Sequence, residues 1–299
     1  MKTSIFLVFF SLSMYVSAFE RNADDVIAKD AKVEKLADGF EFTEGPAVDK
    51  NGDIYFTDQP NNRILKWSVS DKKITVFLEG SGRANGTYFD KQGNLITCSD
   101  MDNELWKIDM NGNHTVLVSD FEGKKLNGPN DVWVHPNGGM YFTDPLFARN
   151  YWTRDRASQM DGQHVYYLSP DGKTLKKVIT DFRQPNGLIG TPDGKKLYVT
   201  DAGARKTYVY DIQADATLTN QTLVCEMGSD GMTIDVQGNL YLTGRGVTVF
   251  NPKGEQIAQI PIEEGWTANV CFGGKDMKTL FITASKGFYS LQMNVEGVR

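Results

Sequence analysis

Cysteine and histidine are scarce in this chain, with three of each among 299 residues. Cys98, Cys225 and Cys271 fall in separate parts of the sequence, mostly within strand-like runs. They do not read as a disulfide framework; a buried free thiol there acts as a small apolar group. His114, His135 and His164 show no HxH or HExxH spacing, which argues against a histidine-rich zinc centre. Runs of Lys or Arg are missing and the formal charge is −6, so no nucleic-acid partner is expected. GxSxG does not occur, and no serine nucleophile needs to be invoked.

Long apolar stretches are confined to the N-terminus. Ile5 to Val16, broken only by Ser11 and Ser13, follows Lys2 and ends at Val16-Ser17-Ala18. This reads as a secretory signal peptide over residues 1–18, too short to span a bilayer. Its removal would leave residues 19–299 as one propeller domain, secreted or periplasmic and without membrane contact. A retained membrane anchor is the alternative.

What the chain has in abundance is one phrase, written six times. In NGPNDVWVHPNGGMYFTD, from Asn127, a polar residue opens an apolar run, a Pro-Asn-Gly turn follows, and a second apolar run ends in Thr-Asp. Asn and Gly supply the positive-φ positions of a tight hairpin. Variants begin at Glu44, Asn85, Asn186, Asp230 and Asn269; with Asn130 these six head residues lie 41, 45, 56, 44 and 39 residues apart. A period in the forties with strands in every unit predicts an all-β, six-bladed β-propeller. The last repeat has three strand-like runs, whereas residues 32–36 form a strand without a blade. That N-terminal strand is expected to close the last blade and hide the edges of an open array.

With the head strand innermost, the six heads ring one mouth of the central channel. Asp58, Asp100, Asp144 and Asp201, which end second strands, are placed on the same face. The connection over residues 145–163 is the longest and carries Phe147, Tyr151, Trp152, Arg149, Arg154 and Arg156. It is expected to overhang the mouth as a lid or specificity element, a plain surface excursion being the alternative.

Turn chemistry would account for NG and DG dipeptides, but not for Glu44 in EGP. Two carboxylates crowded at one axis repel unless a cation sits between them or one is protonated. Carboxylates with amide oxygens, without thiolate or imidazole, form the donor set of a hard divalent cation, Ca²⁺ before Mg²⁺ or Mn²⁺. The DKNGD stretch at Asp49 imitates an EF-hand loop, but no Glu closes it at the required spacing.

EGPAVD, LNGPNDVWVHPNGGMYFTDP, QPNGLIGTPDGKKLYVTD and DGMTIDVQGNLYLTG, in this order, resemble the gluconolactonase and senescence-marker-protein (regucalcin-like) family, over nearly all of residues 33–292. The likeness lies closest to the bacterial gluconolactonases and implies a six-bladed propeller with a divalent metal in its channel, Zn²⁺ joining the candidates. It implies Glu44, Asn186 and Asp230 as metal ligands, Asp230 doubling as proton acceptor, and Asn130 touching metal or substrate. Asn85 and Asn127 become substrate contacts. The regucalcin-like branch carries Arg where this chain has Gly128, so its sugar contacts do not carry over.

The reading that follows is a secreted metal-dependent lactonase acting on sugar lactones. The cation polarises the ester carbonyl, Asp230 takes a proton from water, and Asn85, Asn127 and Asn130 orient ring hydroxyls. A phosphotriesterase-like hydrolase on the same site, or a carbohydrate- or protein-binding propeller with a structural cation, are the alternatives.

Overall fold

A computed structural model describes residues 25–298; the expected leader over residues 1–18 lies outside them. Within that span the alternating runs pair into six four-stranded antiparallel sheets. In the blade of the opening phrase, Val132–Val134 pairs with Met140–Asp144, then His164–Leu168, then Leu175–Ile179. Gly138 adopts φ +93° and its N–H donates to the His135 carbonyl at 2.8 Å, closing the hairpin turn that the Asn-Gly pair foretells.

The inner strands touch in sequence: Thr43–Val48, Ala84–Phe89, Val132–Val134, Pro185–Gly190, Met232–Ile234 and Thr267–Gly273, which returns to the first. The closing strand is Glu34–Asp38, paired with Gly287–Gln292 in the order last-blade sheets require. It starts two residues later than residues 32–36. Val33 packs against the neighbouring core without joining the ladder, so its apolar character reports packing rather than pairing.

Burial explains the strand patterns. Inner and second strands are mostly buried, Ile54–Asp58 throughout, whereas outermost Lys73–Glu79 is mostly exposed. Tyr141, Tyr166, Tyr241 and Tyr289 are fully buried between blades, each such side chain contributing about 1.5–3 kcal/mol from burial. The DKNGD turn holds itself: Asp49 Oδ1 accepts the N–H groups of Asn51 at 2.8 Å and Asp53 at 3.0 Å.

Glycines follow four of the heads for a reason other than turn chemistry. Gly86, Gly187 and Gly231 lack a positive φ. A Cβ at Gly187 would lie 2.6 Å from the Asp230 carbonyl, and closer contacts would meet Gly45 at Asn85, Gly86 at Asp131 and Gly231 at Asn269. Blades therefore approach backbone to backbone at the axis. Gly187→Ala is expected to destabilise the protein by about 1–3 kcal/mol through overpacking, read as a lowered melting temperature; an unchanged melting point would show that the hub has slack.

Candidate active site

The Thr-Asp pairs that end second strands aim the heads. Asp58 Oδ1 accepts the N–H groups of Glu41 (3.1 Å) and Phe42 (3.3 Å). Asp144 accepts those of Asn127 (3.0 Å) and Gly128 (2.8 Å), and Asp201 those of Arg183 and Gln184 (both 3.0 Å). In each blade the two donors lie three and two residues before the head. Asp100 differs: it sits one residue beyond the strand Leu95–Ser99, and Ser99 Oγ instead donates to the Gly82 carbonyl at 3.1 Å.

The ladders correct one head. Asn130 N–H donates to the Thr143 carbonyl and Thr143 N–H to that of Asp131, while Asn269 pairs with Thr283. Counted from the strand ends Asp144 and Ala284, Asn269 matches Asp131, and Ala268 occupies the head position. Gly231 N–H donates to the Ala268 carbonyl at 2.8 Å as Gly86 N–H does to that of Asn130 at 2.7 Å. The match of a polar residue before an apolar run slipped by one because both blades read polar-Val at that point.

Two tiers result. At the mouth stand Glu44, Asn85, Asn130 and Asn186, all buried, and Asp230, which is half-buried. One step deeper, four glycines leave room that Asp131 fills over Gly86 and Asn269 over Gly231. Asp131 accepts Val132 N–H at 3.0 Å and Leu188 N–H at 3.4 Å, which ties the third blade to the fourth. Beneath lies a cavity of about 410 Å³ with Tyr88, Trp133, Met232 and Phe272 among its walls.

Asn186 Nδ2 donates to Asp230 Oδ1 at 2.8 Å, and Trp266 Nε1 donates to Asp230 Oδ2 at 2.6 Å. Glu44 Oε2 accepts from Gly45 N–H at 2.9 Å and from Asn269 Nδ2 at 3.4 Å. Burial pushes the Glu44 carboxyl well above the usual carboxylate range, and the Asp230 charge adds to it. Burial also raises Asp230, against the pull of Trp266 and Asn186, and lifts Asp131 to about 7. Arg149, from the long connection, favours the charged forms of both Glu44 and Asp230.

Among the described residues no three His, Cys, Asp or Glu side chains are grouped to hold a metal, so a cation held by Glu44 and Asp230 would complete its shell with other oxygens, side-chain amides included. Those oxygens are available. Asn85 Oδ1 and Asn186 Oδ1 are buried without a hydrogen-bond partner, in the same ring as two carboxylates whose mutual repulsion a cation would relieve. Oxygen-only donors with two negative charges fit a hard divalent ion. Glu44, Asn186 and Asp230 are brought together; Asn130 stands in the same tier, its backbone fixed on both sides.

Asn127, expected to contact substrate, has its amide bonded within the protein. Its Nδ2 donates to the carbonyls of Asp144 (3.1 Å) and Gly162 (2.9 Å), and its Oδ1 accepts from Ser158 Oγ (2.5 Å). Both ends of the amide are thus committed to the 145–163 connection. That connection is pinned over the mouth elsewhere too. Trp152 Nε1 donates to Asp100 Oδ2 at 2.8 Å, Arg154 stacks on Trp152 at 3.4 Å, and Arg83 lies over Tyr151 at 4.4 Å.

Asp131 and Trp266 are additions to the residues expected from sequence, whereas Arg149 belongs to the long connection expected over the mouth. Asp131 had a local signal, the ND that replaces NG in one repeat alone. Trp266 had none, since it reaches the hub from a segment outside the repeated phrase.

The fold and site define a class: a closed six-bladed propeller whose inner-strand origins form a buried, oxygen-rich hub at one mouth. The sequence profile of the SMP-30/Gluconolactonase/LRE-like region matches residues 42–286, and the chain belongs to that family. A gluconolactonase of Zymomonas mobilis is 31% identical over 300 aligned positions, covering 90% of this chain and 83% of the relative. The solved gluconolactonase of Xanthomonas campestris superposes with a TM-score of 0.83 at 29% identity, covering 90% and 92% of the two chains. A calcium-binding regucalcin of Agrobacterium tumefaciens shares the fold, with a TM-score of 0.73 at 18% identity over 88% and 94%.

Proposed function

We propose that the protein is a lactonase of the gluconolactonase type, dependent on a divalent cation and acting on sugar lactones such as glucono-1,5-lactone. The observation that carries the site is the pair of unpartnered amide oxygens, Asn85 Oδ1 and Asn186 Oδ1, buried beside Glu44 and Asp230. Family membership supports the reaction class, and the polar, amide-lined mouth suits a ring bearing hydroxyls.

Glu44, Asn130, Asn186 and Asp230 would hold the cation, Ca²⁺ being the first candidate, with Asn85 as a further oxygen. When bound, the cation supplies Lewis-acid polarisation of the lactone carbonyl and stabilises the developing oxyanion. Asp230 takes the proton of the attacking water; Asn186 and Trp266 hold its carboxylate in one orientation, and each oxygen keeps a second lone pair, one for the cation and one for that water. Asn85 and Asn130 donate to ring hydroxyls. Asn127 acts on substrate through the connection it braces, which shelters the mouth from bulk water. A leader over residues 1–18 would direct the protein to a periplasm or beyond the cell; a mature N-terminus at Phe19 by mass spectrometry checks that, and an intact Met1 on exported protein refutes it.

The deciding measurement is hydrolysis of glucono-1,5-lactone in a pH-stat alongside elemental analysis of the same preparation. Turnover with about one divalent ion per chain is expected. A metal-replete protein that opens no sugar lactone overturns the proposal.

A further inference from the structure

Trp266 is exposed to 44% and bonds the half-buried Asp230 carboxylate at the hub. The other exposed large apolar side chains among the described residues are Val76, Met110, Val116, Leu223 and Val236, and none is bonded to a hub residue. A singly exposed apolar side chain is ordinary; what sets this one apart is its bond to a hub carboxylate.

The backbone around it is built to hold that position. Trp266 N–H donates to Ser285 Oγ at 3.3 Å, and Ser285 Oγ donates to the Trp266 carbonyl at 3.0 Å. Ser285 is itself held in the left-handed region, at φ +42°, and its carbonyl accepts Thr43 N–H at 2.8 Å. One short chain of bonds therefore ties Trp266 to the residue preceding Glu44. Space is left beside the ring as well. The second strand of the fifth blade ends in Gly244, where Asp stands in three other blades, and a Cβ there would meet only Trp266 Cη2, at 3.9 Å.

We infer that Trp266 serves the reaction in two ways: its N–H positions the Asp230 carboxylate, and its exposed ring is the wall against which the lactone lies. The ligand class is a cyclic polyhydroxy lactone. Such a ring is amphipathic, with hydroxyls at its rim for the Asn amides and a C–H face for an aromatic surface. This inference rests on the lactonase reading. Trp266 is a positioning residue for Asp230 and a contact residue for substrate.

Trp266→Phe and Trp266→Leu separate the two tasks, because Phe keeps a ring without the N–H and Leu keeps neither. Steady-state kinetics on glucono-1,5-lactone should show kcat lowered about 10- to 100-fold in both variants, the loss of one charge-assisted hydrogen bond. KM should stay within about threefold for Phe and rise roughly 3- to 10-fold for Leu. Independently of turnover, gluconate should quench intrinsic fluorescence of the Ca²⁺-loaded protein, and that quench should vanish in both variants. Calorimetric Ca²⁺ affinity should fall as well, by up to about 10- to 100-fold, because the indole orients a carboxylate that would hold the ion, so the kinetics are read at saturating Ca²⁺. An active wild type whose variants keep kcat, KM and the quench overturns the inference while leaving the function standing. A wild type inactive on every sugar lactone overturns the functional reading, and this inference with it.

Discussion

Asp230→Asn is expected to leave the propeller folded and to cost about 10²- to 10⁴-fold in kcat, the usual contribution of a positioned general base. The fold survives because the amide can be accommodated. Its oxygen accepts from Trp266 Nε1, now 2.6 Å from Oδ2, and its NH₂ meets the partnerless Asn186 Oδ1 once that neighbouring amide turns over. The substitution also removes a neighbouring charge that raises Glu44. Cation-free Asp230→Asn should therefore melt at or above the wild-type temperature at pH 8 while its Ca²⁺ affinity falls. A variant that keeps wild-type kcat would remove Asp230 from the chemistry, whatever holds the ion.

Removing the cation should have the second large effect. Chelation with EDTA is expected to abolish lactone hydrolysis and to make stability fall as pH rises. The sign follows from the hub carboxylates. Burial raises Glu44 and Asp230, and brings Asp131 to about 7, so the folded cation-free protein holds protons that the unfolded chain has released. Such groups contribute stability that is complete below the ordinary carboxylate range and lost as pH climbs through the folded value. A cation reverses the slope, because it binds the ionised forms. The rise in melting temperature on adding Ca²⁺ should thus be larger at pH 8 than at pH 5, and activity should return with it. Equal stabilisation at both pH values would mean that the ion binds somewhere other than these carboxylates.

Much of this arrangement was legible in the repeats. The six phrases, their spacing near forty and the leftover strand at the N-terminus were enough for a closed six-bladed ring, because hairpin turns and alternating runs are local signals. The repeat also put the strand openings at one mouth, Glu44, Asn130, Asn186 and Asp230 among them, while the choice of these four as cation ligands came from the family resemblance. Less legible was the register. Asn269 and Asp131 share a tier, but a polar residue before an apolar run looks the same whether it stands at the head or one residue past it. Only counting back along the hydrogen-bonded partner, from Ala284 and from Asp144, separates the two.

The sequence by itself placed five of the six heads, Glu44, Asn85, Asn130, Asn186 and Asp230, at one mouth and gave them oxygen-bearing side chains. Tertiary structure alone decided how far each is free to act: Asn127 is consumed by its lid, Asn85 and Asn186 keep an unpaired oxygen, and Trp266 reaches Asp230 from 36 residues away. Spacing along a strand specifies direction. Whether a side chain's hydrogen bonds are already satisfied depends on segments from other blades, which no local pattern encodes.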